Sequence, residues 1–248
     1  MTGGNVLLRV EDVVKTFGGI RALDGVSIEI YEGELLSIIG PNGSGKTTLF
    51  NVINGVLKPD KGRILLDGRD ITPLPPYKRA ELGIARTFQI PKPWPHLTVR
   101  ENVAIGALFG RERSKIDVKT ALELADRILE TVGLSEKAEE EAGKLTVPEK
   151  KLLELARAIA MKPRLLLLDE VVAGMNPKDA DMVVEVVKRA RDEYGITVVS
   201  MVEHVMRIVA KFAERVVVMN QGRVLLEGPP GEVLRHPQVI EVYLGGPI

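Results

Sequence analysis

The chain has 248 residues, with 34 basic side chains against 34 acidic ones and no cysteine. That length suits one α/β domain or a core with a smaller subdomain. Zero net charge disfavours nucleic acid as a partner, and the missing thiols exclude disulfides, thiolate-bound zinc and cysteine nucleophiles. The N-terminus has no charged-then-apolar secretory pattern. No apolar run reaches the roughly 18 residues that cross a bilayer, so a soluble chain is expected, with any membrane association made through a partner.

Val6 to Val14 alternates weakly and predicts a strand, followed by a turn at Thr16–Gly19 and a second strand from Ala22 to Ile30. Glu32-Gly33 turns the chain into the apolar run Leu35–Ile39. Next comes Gly40-Pro41-Asn42-Gly43-Ser44-Gly45-Lys46-Thr47-Thr48, with the spacing G-x-x-x-x-G-K-T. Leu49, Val52, Ile53 and Val56 then recur at helical spacing. Strand, glycine-rich loop and helix in that order form the context of a phosphate-binding loop. The glycines let backbone N–H groups turn inward around phosphate oxygens, and the helix N-terminus adds partial positive charge. Lys46 is expected to reach the β- and γ-phosphates of a nucleotide and the Thr47 hydroxyl to bind Mg²⁺.

Lys58–Gly62 breaks the pattern, and Ile64–Arg69 predicts a strand entering an Asp67-Gly68 turn. These short connections suggest a small antiparallel sheet. From about Ile90 to Lys162 the texture changes. Pro91, Pro93 and Pro95 around Trp94 favour extended or turn geometry. Helices are predicted over Val99–Phe109, Lys119–Val132 with Gly133 as a stop, and Glu149–Met161 with Pro163 beyond. Thr146-Val147-Pro148-Glu149 reads as a capping box at the start of the last one.

Leu165–Leu168 is a continuous apolar run, as in a parallel strand buried on both faces. Asp169 and Glu170 stand at its carboxyl end, the edge where ligands bind an open parallel sheet. Asp169 can hold Mg²⁺, directly or through water, and Glu170 can orient or deprotonate the attacking water. A helix over Lys178–Tyr194, a buried strand over Ile196–Val202 and a hairpin around Asn220-Gln221-Gly222 follow; from Glu232 onward a short tail is expected. His204 follows the Ile196–Val202 strand, where it would lie near the γ-phosphate. Gln89 closes the strand leading into the helical insertion, where an amide can touch Mg²⁺ or water and feel the insertion move.

Together these residues resemble the ATP-binding subunit of ABC transporters over essentially the whole chain. The resemblance implies an α/β fold: a P-loop NTPase core of mostly parallel sheet flanked by helices, an N-terminal antiparallel β subdomain and a helical subdomain. A single domain would place the core at residues 1–89 and 163–248 and the helical part at 90–162. It identifies Gly40–Thr48 with the Walker A loop, Leu165–Glu170 with the Walker B strand and its catalytic glutamate, and Ala173–Pro177 with the D-loop. Gln89 corresponds to the Q-loop glutamine and His204 to the switch histidine. Phe17 falls where the family stacks an aromatic on adenine, the alternative being a core-packing ring.

The resemblance further implies ATP and Mg²⁺ as cofactors and a second ATP-binding subunit that completes a sandwich around two nucleotides. It also implies transmembrane permease subunits and, indirectly, an extracytoplasmic solute-binding protein, with the chain peripheral on the cytoplasmic face. Arg86–Gln89, Leu97–Val103, Ala173–Pro177 and the ending from Glu227-Gly228 to Val242–Gly245 resemble importers of branched-chain and other hydrophobic amino acids. A soluble clamp or assembly ATPase, or a subunit that needs a heteromeric partner, are the alternatives. One stretch departs from the family. Where L-S-G-G-Q is usual the chain has Leu145-Thr146-Val147-Pro148-Glu149, so Thr146 is the hydroxyl left to face a partner's γ-phosphate. Val147 blocks close backbone approach, Pro148 removes a donor, and Glu149 brings a negative charge unless it folds back onto the cap. Val171 stands where proline usually follows the glutamate.

Overall fold

The computed structural model describes residues 4–202 and 206–244. Strands β1 (Val6–Phe17) and β2 (Ile20–Tyr31) pair antiparallel, and both run longer than the alternation predicts, so that Phe17 pairs with Ile20. β3 (Leu35–Ile39) is buried at every position and leads through the glycine-rich loop into α1 (Lys46–Asn54). The helix stops two residues short of the predicted face: Gly55 takes a left-handed cap, and Val56 is left exposed. Its last carbonyls meet a buried cation, since Arg79 Nη1 donates to Val52 O at 2.6 Å and Ile53 O at 2.7 Å. A guanidinium at a helix C-terminus satisfies orphan carbonyls and opposes the helix dipole. Burial pushes the Arg79 pKa down to about 10.

β4 (Lys61–Leu66) and β5 (Arg69–Asp70) complete an antiparallel sheet of order β2-β1-β4-β5. The Asp67-Gly68 turn between them takes positive φ at both residues, as its dipeptide predicts. α2 (Pro76–Glu81) and β6 (Ile84–Arg86) follow. α3 (Val99–Phe109) begins at a capping box of Thr98 and Glu101, α4 (Val118–Val132) ends at the predicted Gly133, and α5 (Val147–Ala160) starts at Thr146. Then come β7 (Leu165–Asp169), α6 (Pro177–Tyr194), β8 (Thr197–Val202) and α7 (Met206–Phe212). β9 (Arg215–Asn220) and β10 (Arg223–Gly228) form the predicted hairpin. The expected tail is instead helical, with α8 (Pro230–Val233) and α9 (Pro237–Leu244). Its apolar residues have a core to join, because Val233 and Val239 pack with Ile39, Val209, Val216 and Val218.

The chain divides into two compact units, Met1–Arg79 with Thr197–Ile248, and Ala80–Ile196. In the first, β3 runs parallel to β8 on one side and β9 on the other, beside the separate antiparallel sheet. In the second, β6 and β7 pair parallel, and α3, α4 and α5 pack on one another through Ala121, Ala125, Ile128, Leu152, Leu155 and Ile159. No described helix is long and apolar enough to cross a membrane.

Candidate nucleotide site and its surroundings

The phosphate-binding loop has the shape that its glycines require. A Cβ on Gly40 would meet Met219 O at 2.2 Å, and one on Gly45 would meet Ala22 O at 2.4 Å, so both positions tolerate only hydrogen. Gly45, with φ 103, is the N-cap of α1; no side chain caps that helix, and its first turn carries no acid. The helix therefore presents N–H groups and its positive dipole end without competition from its own side chains. Lys46 is 3% exposed and donates from Nζ to Gly40 O at 2.8 Å and Pro41 O at 3.0 Å. Ser44 is buried, Pro41 and Thr48 are half-buried, and Asn42, Gly43 and Thr47 face outward. The Thr47 hydroxyl makes a weak contact with Met201 Sδ, at 3.8 Å. The cradle fits phosphate groups, and the outward Thr47 hydroxyl is the kind of oxygen donor that Mg²⁺ takes alongside phosphate and water.

Phe17, at the end of β1, is 45% exposed, so the core-packing alternative does not hold. Lys15 Nζ lies 5.6 Å from its ring centre, and an exposed ring of this kind can stack on a planar ligand.

In the second unit the end of β6 and the residues just after it hold Asp169, the last residue of β7, and Glu170 beyond it. Asp169 is 6% exposed, and its Oδ2 accepts from Arg86 Nη2 at 2.6 Å. Asp169 N–H donates to Thr87 Oγ1 at 3.2 Å. Glu170 has φ 46, a left-handed conformation that is uncommon for a residue with a side chain. Its Oε2 accepts from Gln89 Nε2 at 2.7 Å. The structure thus joins two predicted site residues, Gln89 and Glu170. Among the described residues no cluster of three or more acids and histidines could hold a metal ion unaided. His204 lies outside the described residues.

At the start of α5 the negative charge does fold back. Glu149 Oε2 accepts from both Thr146 N–H and Thr146 Oγ1, each at 2.8 Å, and Oε1 pairs with Lys137 Nζ at 2.7 Å. Lys137, then the Thr146 N–H and hydroxyl, pull the Glu149 carboxyl down to about 2. The Thr146 hydroxyl, expected to face a phosphate, is thereby spent within its own cap.

Spacing alone did not single out Arg86, Glu154 or Arg157. Arg86 and Glu154 line a cavity of about 660 Å³, with Phe88, Trp94, Ile105 and Phe109 among its walls. Glu154 is 7% exposed and accepts from Phe88 N–H at 2.5 Å, and burial pushes its carboxyl up. Helical spacing places Leu152, Leu155, Ala156 and Ile159 on one face and Glu154 on the other, so the sequence pattern gives no signal of its burial. Arg157 stacks over Trp94 at 4.3 Å from the ring centre and donates to Lys92 O at 3.1 Å.

Known proteins resemble this chain in sequence and fold. The ABC transporter profile matches residues 23–173, and that of branched-chain amino acid ATP-binding cassette transporters matches residues 223–247. The high-affinity branched-chain amino acid transport ATP-binding protein BraF of Pseudomonas aeruginosa is 37% identical, over 96% of this chain and 98% of its own. An ATP-binding cassette of an ABC transporter in its ADP conformation superimposes with a TM-score of 0.86 at 38% identity, covering 97% of this chain and 99% of that one. A dimeric cassette in a post-hydrolysis state bound to ADP and phosphate gives 0.80 at 27% identity, covering 90% and 99%. The P-loop α/β fold expected from the sequence is therefore shown, and the chain belongs to the ABC transporter family as one of its ATP-binding cassettes.

Proposed function

We propose that this chain is the ATP-hydrolysing motor subunit of an importer for branched-chain or other hydrophobic amino acids. It sits on the cytoplasmic face of the membrane, paired with a second ATP-binding subunit and with permease subunits that receive solute from an extracytoplasmic binding protein. The likeness to BraF and the matched C-terminal segment support the substrate class. The likeness to a dimeric cassette supports the pairing.

In this reading the N–H groups of Gly40–Thr48 hold the ATP phosphates and Phe17 stacks on adenine. Lys46 exchanges its carbonyl partners for β- and γ-phosphate oxygens, which gain more from an ammonium than neutral carbonyls do. Thr47 and Asp169 are the residues that would hold Mg²⁺, and Gln89 would touch the ion or its water; the ion would neutralise charge on the phosphates. Glu170 orients or deprotonates the water that attacks the γ-phosphorus in line, and His204 supports the charge gathered on the departing phosphoryl group. ADP and phosphate then leave. Residues 90–162 act as the helical subdomain that passes closure to the permease.

The observation that carries this reading is the 2.7 Å bond from Gln89 to Glu170, which ties the acid to the loop lining the Trp94 cavity. A permease segment pressing on that cavity would act on the residue that positions water. One further observation favours a heteromeric pair: Glu149 occupies the Thr146 donors that a partner's γ-phosphate would use. The test is uptake in proteoliposomes holding the chain, its permease and its binding protein. Leucine entry driven by internal ATP is expected; entry of an amide such as urea without leucine would reject the substrate class.

A further inference from the structure

Glu170 holds an uncommon backbone conformation that its own stretch of chain does not enforce. Its φ of 46 lies in the left-handed region that residues with side chains rarely adopt. Such a conformation persists only where the surrounding structure over-determines it. Beyond the acid the chain closes one turn, with Ala173 N–H donating to Glu170 O at 2.9 Å, and then another, with Met175 N–H donating to Val172 O at 3.2 Å. Val171 and Val172, which follow the acid, have neither the fixed φ of proline nor the freedom of glycine, so they do not set this path. Gln89 Nε2 holds the end of the Glu170 side chain at 2.7 Å. The backbone beyond it has a holder of its own: Lys151 Nζ donates to Ala173 O at 2.5 Å.

Lys151 stands in the second turn of α5 and is half-buried. A lysine on a helix surface ordinarily keeps its ammonium in water. Here burial pushes the ammonium pKa down, and the charge of the nearby Glu170 works against that shift. One cation thus meets both ends of the turn, by a charge-assisted hydrogen bond at Ala173 O and by electrostatic attraction at the Glu170 carboxylate. We infer that Lys151 is a positioning residue for ATP hydrolysis: its ammonium pins the turn after Glu170 and so keeps that carboxylate where it meets the attacking water. The inference rests on Glu170 positioning the water and adds the group that positions Glu170. A misplacement of about 1 Å in a reacting group can cost about 10²-fold in rate. A single lysine contact that adds little to folding is therefore enough to govern turnover. Lys151 touches neither nucleotide nor water in this account and acts through Glu170 alone.

Lys151→Met keeps the length of the side chain and removes both its donor and its charge. The experiment measures phosphate release and ATP affinity for the wild type, K151M, E170Q and the double variant, each as the full chain in the assembled transporter. K151M should release phosphate about tenfold more slowly, the scale of a lost hydrogen bond to a charged group, with ATP affinity unchanged. Combined with E170Q it should slow release no further, to within about twofold, because two groups that act through one carboxylate are not additive. A lysine that merely staples α5 to the loop would lower the melting temperature without this dependence on residue 170. Wild-type release by K151M overturns the inference. So does an equal slowing in both backgrounds, or a loss of ATP affinity that matches the loss of rate. Melting curves check that K151M folds; if it does not, Lys151→Gln, which retains a neutral donor, enters the same cycle with about threefold slowing expected. Release at the wild-type rate by E170Q would instead reject the role of Glu170 itself, and this inference with it.

Discussion

The N-termini of α1 and α5, the two helix ends proposed to meet phosphate, are finished in opposite ways. α1 begins at Gly45, with no capping side chain and no acid in its first turn. α5 begins at Thr146, whose N–H and hydroxyl both donate to Glu149, itself paired with Lys137. A helix end left uncapped is less stable by itself and ready for an anion. A helix end closed by its own carboxylate is stable and already neutralised. In the proposed reading the first meets the ATP phosphates with its own N–H groups, and the second has to be opened before it can contribute to a partner's site.

The largest effect expected from breaking this contrast is at the open end. Lys46→Ala should lower ATP turnover by about 10²–10³-fold, the cost of losing one preorganised charge-stabilising donor. It should also remove binding of a fluorescent ATP analogue; binding at wild-type affinity would contradict the placement of the phosphates. Gln89→Ala removes a hydrogen bond to a charged group, worth about 1.5–3 kcal/mol. Turnover should fall by at least tenfold with ATP affinity unchanged, and an equal loss of affinity would assign Gln89 to binding.

At the closed end, Glu149→Ala should have two opposed effects. The cap is worth about 1 kcal/mol, so the melting temperature should drop. The freed Thr146 donors should raise turnover of the assembled transporter about threefold, the scale of a helix-end charge effect. The stability part has a pH signature. The Glu149 pKa is about 2 in the folded chain against an ordinary 4.5, so its stabilisation is complete above about pH 4.5 and is lost as pH falls towards 2. Wild-type and variant melting curves should converge over that window. The smallest effect is expected at Phe17, where exchange for alanine should weaken ATP binding by about 0.5–1.5 kcal/mol, the value of an aromatic stack, and leave the maximal rate alone.

The open end was legible in the sequence because everything it needs is local. A buried strand, a fixed glycine spacing and a helical period lie within Leu35–Asn54. The Asp67-Gly68 turn and the Gly133 stop were legible for the same reason. The closed end was half legible. The capping box can be read from Thr146 and Glu149, but whether Glu149 folds back depends on Lys137, which reaches it from an earlier turn. α8 and α9 were missed because their stability comes from packing Val233 and Val239 against strands far away in the chain. α1 stops at the left-handed cap of Gly55, short of its apolar pattern, and Arg79, distant in sequence, takes its final carbonyls. The burial of Glu154 is likewise a property of the folded cavity, and no spacing announces it.

The assignment of Glu170 as the residue that positions the attacking water is tested most directly by Glu170→Gln, with ATP binding and phosphate release measured on the same preparation. The amide keeps the size of the side chain and its contact with Gln89 but cannot take a proton. Binding at wild-type affinity, with phosphate release reduced by about 10²-fold or more, is the predicted result. Phosphate release at the wild-type rate would contradict it.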